Sequence, residues 1–600
     1  MTMRIAYISM NLVFGMQYLL LLEGHTLNVA VLNEDNKDDD PEKWFWDKKR
    51  DWSGLSDLFP GKITMVDTVD DLLEDADLVF ADMNDLPLGL FEELHERHAR
   101  VVAFSPSMNV LEDDREFAKF LASKSGFAVP SNGTAFSQIA GAREWITQID
   151  SRDVVLKGND NCVILSKKDA LNLLDNEEAL KSFWNKGELF VESFIEGGTE
   201  MAYGGFFDGD NWLDVVFCTQ EYKGAAEHNM GRVLTGEVGT CFKAIDREDL
   251  PQPVRVLQDR LTPALRSSMY RGFLDINTIF RDSVLYFLEF TTRPGYPTEL
   301  EIAGTHRLHG ESYALFLMRL AGEKNGQEFF FPLKAGIATA LYAQGLGLAY
   351  PKAFSGFNPI IEGIDDSMMV LPFDARWVKT EDGVEWRASD WDRAVFVMSS
   401  LEPDCADTLA SHHQAVSKLS CWGHTHRKDI GDKWNGTIDN TNTVVHYVDR
   451  PNDVRVGLWS ADVNDILLQR LAFIEYSCFD ADEVWEDDNF QEYFDLPRES
   501  RLAVSAVENG MVVGYALFNI TQTDDWELSN LALLPAYRGN SHARDMLSLG
   551  VNNLRGCTRR IVAQAHHEGL IPWYESLGFV VENSDSDGFE LSLDLQSLDA

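Results

Sequence analysis

The sequence predicts a multidomain chain built from α/β and α+β units. Three observations carry this. Strand-like and helix-like runs alternate through residues 1–105, the mark of a small parallel α/β layer. Paired strand-like runs with turn signals follow between 153 and 292, a mixed α+β pattern. Residues 454–600 then form a further mixed unit, set off by DKWNGTIDNTNTVVHYVDRPND at 432–453, whose Asn, Thr, Asp, Gly and Pro content reads as a linker. A chain of 600 residues leads us to expect roughly four domains at ~150 residues each.

Bulk properties exclude several function classes. The net charge is −45, which opposes non-specific adhesion to nucleic acid or anionic membrane. It leaves open a modified base or nucleotide as ligand. No stretch reaches the ~20 apolar residues of a membrane span. MTMRIAYISMNLVFGMQYLLLL lacks a basic n-region and a cleavage site, so it reads as a strand and a helix rather than a signal peptide. Seven scattered cysteines without a CxxC fit reduced thiols in a cytoplasm and oppose zinc ribbons or a disulfide scaffold.

In chain order, RIAYIS, LNVAVL, ITMVD, ADLVFAD and RVVAF supply the strands of the first layer, with a helix near 14–23. Asn33–Arg50 is a charged surface excursion. No GxGxxG follows the first strand, so no dinucleotide site is expected. EDDREFAKFLASKSGFAVPSNGT (112–134) is a helix carrying Lys119 that ends near Gly126. DVVLKGNDNCVIL (153–165) is a hairpin with Lys157 at the end of its first strand. ELFVESFIEGGTEMAYGGFFDGDNWLDVVF (188–217) gives a strand, a charged connector and two strands joined at DGDN.

GFLDINTIFRDSVLYFLEFTTRPGYPTE (272–299) carries the most chemistry per residue. Two apolar runs flank Arg281–Asp282–Ser283 as in a strand pair. Alternation places Phe287, Glu289, Thr291 and Arg293 on one face, and Asp275 faces Glu289. Facing carboxylates repel unless a cation separates them, and magnesium suits one or two carboxylates plus nucleotide phosphates. Taken alone, the pair reads more readily as two solvated acids on a hairpin.

Lys119, Lys157, Glu192, Glu200, Asp275 and Glu289 fall in the order of the ATP-grasp superfamily, which the chain resembles. The resemblance implies that the two lysines contact ATP phosphates. It places the VESF segment with Glu192 at the adenine and Glu200 at the ribose. Asp275, Glu289 and Thr291 would hold magnesium or manganese. FAKFLASKSGFAVPS, TQEYKG, YPKAFSGFNPIIEGID and HRKDIG are similar to segments of glycinamide ribonucleotide synthetases, over about residues 1–431. Thr291 stands where that family has Asn. NLVFGMQYL, GNDNCV, VLTGEVG and PGYPTE replace its substrate and glycine-rich segments. Nucleotide features are thus kept better than substrate features.

In the last unit, SRLAVSAVENGMVVGYALFNI is a hairpin with an ENG turn, and WELSNLALLPAYRGNSHARDMLSLGVNNL is a strand, loop and helix. Arg538, Gly539, Asn540, Ser541, His542 and Ala543 resemble the pyrophosphate loop of the GCN5-related N-acetyltransferases (GNAT), with Ser541 for its first Gly. IVAQAHHEGLIPWYESLGFV is similar to that family's Leu-Gly-Phe ending. The resemblance implies acetyl-CoA on this loop, backbone bonds from Leu531 and Leu533 to the pantetheine arm, Tyr574 as general acid and Glu527 as base. The paired His424 and His426 read as structural, and the neighbours His566 and His567 as structural or acceptor-facing, rather than as metal sites.

Together the resemblances divide the chain into a pre-ATP-grasp domain (1–105), an ATP-grasp domain (106–330), a small ligase-like domain (331–431), a linker (432–453) and a GNAT domain (454–600). They imply a carboxylate–amine ligase passing through an acylphosphate, with Arg293 at the transferring phosphoryl group, fused to an N-acetyltransferase. Both heads would take small molecules, and their fusion suggests that they share one. The rival reading is a degenerate ATP-binding module that regulates the acetyltransferase.

Overall fold

A computed structural model shows the chain. It describes residues 2–9, 15–33, 44–45, 54–130, 134–157, 162–176, 178, 180–181, 189–227, 230–233, 237–293, 302–304, 306, 312–322, 335–343, 358–365, 368–381, 383–388, 393–401, 406–432, 448, 452–459, 463–481, 483–521, 525–555, 557–585 and 588–595. PGYPTE, most of the Asn33–Arg50 excursion and nearly all of the 432–453 linker lie outside these residues. The chain divides into two compact units. One comprises Met1–Gln258 and Tyr270–Val448, the other Asp259–Met269 and Asp449–Ala600. No helix among the described residues is long and apolar enough to cross a membrane.

The larger unit opens with β1 (Arg4–Ser9), α1 (Gly15–Leu22), β2 (Thr26–Val31), β3 (Ile63–Val66), β4 (Leu78–Ala81) and β5 (Val101–Val102). These strands pair in parallel, in the order β3-β2-β1-β4-β5. Ile5, Tyr7, Leu78 and Phe80 are fully buried on this sheet, as a parallel sheet covered on both faces requires.

Next comes α2 (Arg115–Lys124), whose first turn is closed by Asp114 accepting from the Phe117 N–H at 3.0 Å. A four-stranded sheet holds β6 (Thr134–Phe136), β7 (Asp153–Lys157), β8 (Cys162–Ser166) and β9 (Leu189–Ser193), in the order β6-β9-β7-β8. A second, antiparallel sheet uses β10 (Thr199–Phe207), β11 (Trp212–Tyr222), β12 (Gly239–Asp246), β13 (Gly272–Arg281), β14 (Val284–Thr291), β15 (Ala335–Ala343), β16 (Met369–Pro372) and β17 (Arg393–Ser400). Its main path is β14-β13-β10-β11-β12-β15-β17-β16.

The β13–β14 turn is tight. Asp282 and Ser283 both have positive φ, 51° and 63°, the geometry a two-residue hairpin needs and one that non-glycine residues adopt at some cost. Register here corrects two sequence expectations. Asp275 stands opposite Thr291, and Asn277 opposite Glu289. A register shift between Asn277 and Thr278 sets Thr278 against Phe287. The extra residue of this bulge turns Phe287 to the face opposite Glu289. There its ring packs on Phe127 and Phe290, at centroid distances of 6.0 and 4.8 Å.

The second unit contains β18 (Val454–Leu458), α3 (Asp465–Tyr476), α4 (Asp487–Asp495), β19 (Arg501–Glu508), β20 (Met511–Ile520), β21 (Trp526–Leu533), α5 (His542–Leu554), β22 (Arg560–Ala565), α6 (Ile571–Glu575), β23 (Val580–Asp585) and β24 (Gly588–Asp594). Its sheet runs β18-β19-β20-β21-β22-β24-β23. All neighbours are antiparallel except β21 and β22. The Asn509–Gly510 turn has φ of 51° and 85°, as its Asn-Gly sequence demands.

Candidate active sites

In the larger unit, α2 turns Lys119 inward, because Phe117, Ala118, Phe120 and Ala122 bury the same turns. Lys119 Nζ lies 2.7 Å from Glu192 Oε2 on β9. Lys157 closes β7 and sits 3.5 Å from Glu192 Oε1 and 3.2 Å from Glu289 Oε2 on β14. Four sequence-selected residues therefore converge from a helix and two sheets. Lys119, Lys157 and Glu192 are each at least 90% buried. Burial opposes the Glu192 charge, but Lys119 and Lys157 outweigh it and hold the carboxyl below its ordinary range. Lys157 above all holds Glu289 down at about 2. Burial pulls the Lys119 ammonium down against the attraction of Glu192. We read both lysines as charged, since each faces a carboxylate.

A second group lies on the same face of the antiparallel sheet. Lys223 Nζ is 2.5 Å from Glu200 Oε1 and 2.9 Å from Glu221 Oε2. Asp275 is buried, and burial, Glu221 and Glu237 together push its carboxyl well above the usual range. Asn277 Nδ2 donates to Thr291 Oγ1 at 3.0 Å. Sequence reasoning missed Glu221, Glu237 and Lys223. Alternation within TQEYKG, with Glu221 and Lys223 two apart, is the signal that could have found the pair.

Among the described residues, no three His, Cys, Asp or Glu gather as a ready-made metal cage. The oxygen set of Asp275, Thr291 and Glu289 nevertheless suits magnesium, which takes few protein ligands and completes its shell with phosphate and water. Like-charge crowding at Asp275 is what a bound dication would relieve.

Arg293 sits apart from the lysines. Its Nη2 is 3.2 Å from Glu112 Oε1, and Glu112 also accepts from the Thr292 N–H at 2.9 Å. Burial, then Glu112, raises Asp85. Burial, then Asp85 and Glu112, raises Asp113 to about 6. Nearby Asp82, one residue beyond β4, accepts from Tyr7 at 2.5 Å and from Ser9 at 3.3 Å. β1 and β4 are the strands where the sheet order reverses, the usual crevice for ligands in a parallel sheet.

In the second unit, β21 is eight residues long, yet it pairs with β22 only from Trp526 to Leu528. A register shift between Leu517 and Phe518 leaves Ser529 as the bulged residue of β21. Beyond it, Leu531–Leu533 keep their β20 partners and have no strand on the other edge among the described residues. This V-shaped opening can take an extended ligand through backbone bonds. The Leu533 carbonyl already accepts from Cys478 Sγ at 3.3 Å and from Arg538 Nε at 3.2 Å.

The Arg538–Ala543 loop leads into α5. Gly539 has φ +82° and Ser541 φ −77°, so serine in place of glycine is unstrained there. Ser541 Oγ donates to Asp545 at 2.6 Å, and the first-turn N–H groups of α5 form an anion-seeking helix end.

Glu527 is half-buried and lines a cavity of about 260 Å³. Tyr574 is 6% exposed, its ring against Trp573 and Phe579, and burial raises its phenol to about 12. Sequence reasoning missed Glu475, at the end of α3. It is fully buried, accepts from the Tyr515 hydroxyl and from the Trp485 N–H at 3.1 Å, and is raised by burial to about 7. An acid within the apolar run LAFIEY was its signal. His424 Nδ1 lies 3.1 Å from the Trp422 carbonyl, and His566 Nδ1 lies 3.7 Å from Glu483.

Residues 468–579 match the acetyltransferase (GNAT) family. Among solved structures, phosphoribosylamine–glycine ligase from Thermotoga maritima superposes with a TM-score of 0.49 and 16% identity, over 71% of this chain and 100% of that one. The biotin carboxylase domain of Hydrogenobacter thermophilus 2-oxoglutarate carboxylase gives 0.47 and 13%, over 74% and 97%. N5-carboxyaminoimidazole ribonucleotide synthetase from Thermotoga maritima gives 0.41 and 12%, over 70% and 99%. Curated protein sequences yield no match. The residues that match the acetyltransferase (GNAT) family, 468–579, lie within the second unit.

Proposed function

We propose that the protein is a two-headed enzyme. The larger unit is an ATP- and magnesium-dependent carboxylate–amine ligase, and the C-terminal unit an acetyl-CoA-dependent N-acetyltransferase. The observation that carries the first head is the convergence of Lys119 and Lys157 on Glu192 and Glu289. Two buried cations held in place by carboxylates form a preorganised cradle for phosphates. Magnesium, when bound, supplies charge neutralisation between phosphate oxygens. A substrate carboxylate attacks the γ-phosphorus, ADP leaves, and an amine then displaces phosphate from the acylphosphate to form an amide. Arg293, which pairs with Glu112 and lies near Asp85, is the group we assign to the transferring phosphoryl group.

In the second head, the open edge of β21 and the N-terminus of α5 support acetyl-CoA binding. The acceptor nitrogen attacks the thioester carbonyl and the C–N bond forms as the C–S bond breaks. Glu527 takes the proton from nitrogen, and Tyr574 is the group we assign to protonate the leaving thiolate. The test supplies ATP, magnesium and a panel of amino acids, and reads ADP release. In parallel, acetyl-CoA and an amine panel are read by free thiol. ATP binding without acid- or amine-dependent ADP release would leave only the regulatory reading.

A further inference from the structure

The cavity beside Glu527 contains more than a base. Register places Glu527 beside Val562, Gln564 beside Glu590, and Asn583 beside Glu590. Residues paired across strands share a face, as do residues two apart along one strand. Glu527, Gln564, Glu590 and Asn583 therefore stand on one face of the β21-β22-β24-β23 sheet. All four line the cavity, together with Ser584 from the end of β23.

The lining is dominated by acceptors. Two carboxylates and two side-chain amides line this open space, and among the described residues neither lysine nor arginine does. Arg560 stands at the side, 4.0 Å from Glu590 and 3.9 Å from Asp525, so one guanidinium is shared between Glu590 and one further acid. Strand spacings put the Glu527 and Glu590 backbones roughly 12 Å apart, two strand gaps across and two residues along. Allowing for two glutamate side chains reaching inward, the carboxylates suit cations separated by several ångströms.

We propose that the acetyl acceptor is a small diamine or polyamine, held by Glu590 through one ammonium while the other amine is presented to Glu527. This rests on the acetyltransfer reading for its chemistry, but the binding claim stands by itself. The amine at Glu527 loses its proton, attacks the thioester carbonyl and becomes the amide, as the thiolate leaves. The amine at Glu590 stays charged and unmodified. Gln564 and Asn583 offer carbonyl oxygens to its remaining N–H groups. Glu590 is a specificity residue here, since it touches the substrate away from the reacting atoms.

The test uses the full chain and measures binding of 1,4-diaminobutane and of butylamine by calorimetry, with and without acetyl-CoA. The diamine is expected to bind at least tenfold more tightly. Glu590→Gln should remove that difference, and Glu499→Gln, an exposed acid outside the cavity, should leave it intact. Equal affinity for the two amines overturns the proposal. So does a preference that survives in Glu590→Gln, or one that falls equally in Glu499→Gln, since either marks general attraction to an acidic chain. Turnover is read separately as thiol release. Diamine binding without thiol release supports the pocket assignment and sinks the acetyltransfer reading. Acetylation of both amines with equal kcat/KM does the reverse.

Discussion

Asp275 stands across the β13–β14 pair from Thr291, and Asn277 donates to the Thr291 hydroxyl at 3.0 Å. A hydroxyl that accepts one hydrogen bond keeps a further lone pair for a hard cation. Thr291→Val removes that oxygen at nearly constant shape. The expected result is a roughly tenfold rise in the magnesium concentration for half-maximal ADP release, equivalent to ~1.4 kcal/mol. Thr291→Asn should restore the requirement. An unchanged magnesium titration in Thr291→Val would exclude the hydroxyl from the metal shell.

The Lys119–Glu192 pair makes opposite predictions for its two ends. Lys119→Met takes one of two cations from a buried carboxylate, and breaking such a pair costs about 3–5 kcal/mol. Added ATP should no longer raise its melting temperature. Glu192→Gln leaves two buried lysines facing each other, so the free protein weakens, but nucleotide phosphates can replace the lost charge. Its ATP-induced stabilisation should therefore exceed that of the parent. Equal thermal shifts in all three proteins would dissociate these residues from the nucleotide.

Glu475 predicts a pH dependence in the C-terminal unit. Its carboxyl is raised by burial to about 7, against the partial offset of Tyr515, Trp485 and Asn530. The folded state thus holds this proton more tightly than the unfolded chain, where the value is near 4.5. Its contribution is fully present below about pH 4.5 and is lost as pH rises through about 7, by a sum on the order of 3 kcal/mol. Glu475→Gln should flatten that decline. Thermal melts from pH 4.5 to 8, following the transition that acetyl-CoA shifts, provide the check; parallel slopes for both proteins would contradict it.

The Arg538–Ala543 loop discriminates between two small residues. Gly539 has φ +82°, and an added Cβ would meet no atom within 4 Å. Gly539→Ala is therefore penalised by backbone conformation alone, about 1–2 kcal/mol, and should weaken acetyl-CoA binding about fivefold or more. Ser541→Gly should change affinity little, because Ser541 already has negative φ. Reversal of this order in equilibrium dialysis would show that the loop does not carry the pyrophosphate.

Tyr574 tests the acid role. Burial raises its phenol to about 12, so the proton is in place at neutral pH. Tyr574→Phe should lower kcat for acetyltransfer by about 10²-fold while acetyl-CoA binding is retained. An unchanged kcat would assign the ring to packing against Phe579 and nothing more.

Much of this was legible in the chain because it depends on local order. Lys119 sits in a helix whose amphipathic pattern and Asp114 cap are written within ten residues. Lys157 closes a strand whose hairpin partner follows at once. The β21 strand, the glycine loop and α5 likewise occupy one continuous segment. Motif reading finds such elements, because propensity, capping and turn chemistry act over a few residues.

Sequence by itself determined the element types and picked out Lys119, Lys157, Glu192 and Glu289, which the fold brings together. Tertiary structure alone decided three other things. A single bulged residue decided that Phe287 turns away from Glu289 and that Asp275 meets Thr291, since a one-residue slip exchanges the two faces of a strand. Burial decided that Glu475 and Asp275 bind protons tightly, because desolvation depends on neighbours distant in sequence. The pairing of β22 with β24 decided that Glu527 and Glu590, 63 residues apart, line one cavity.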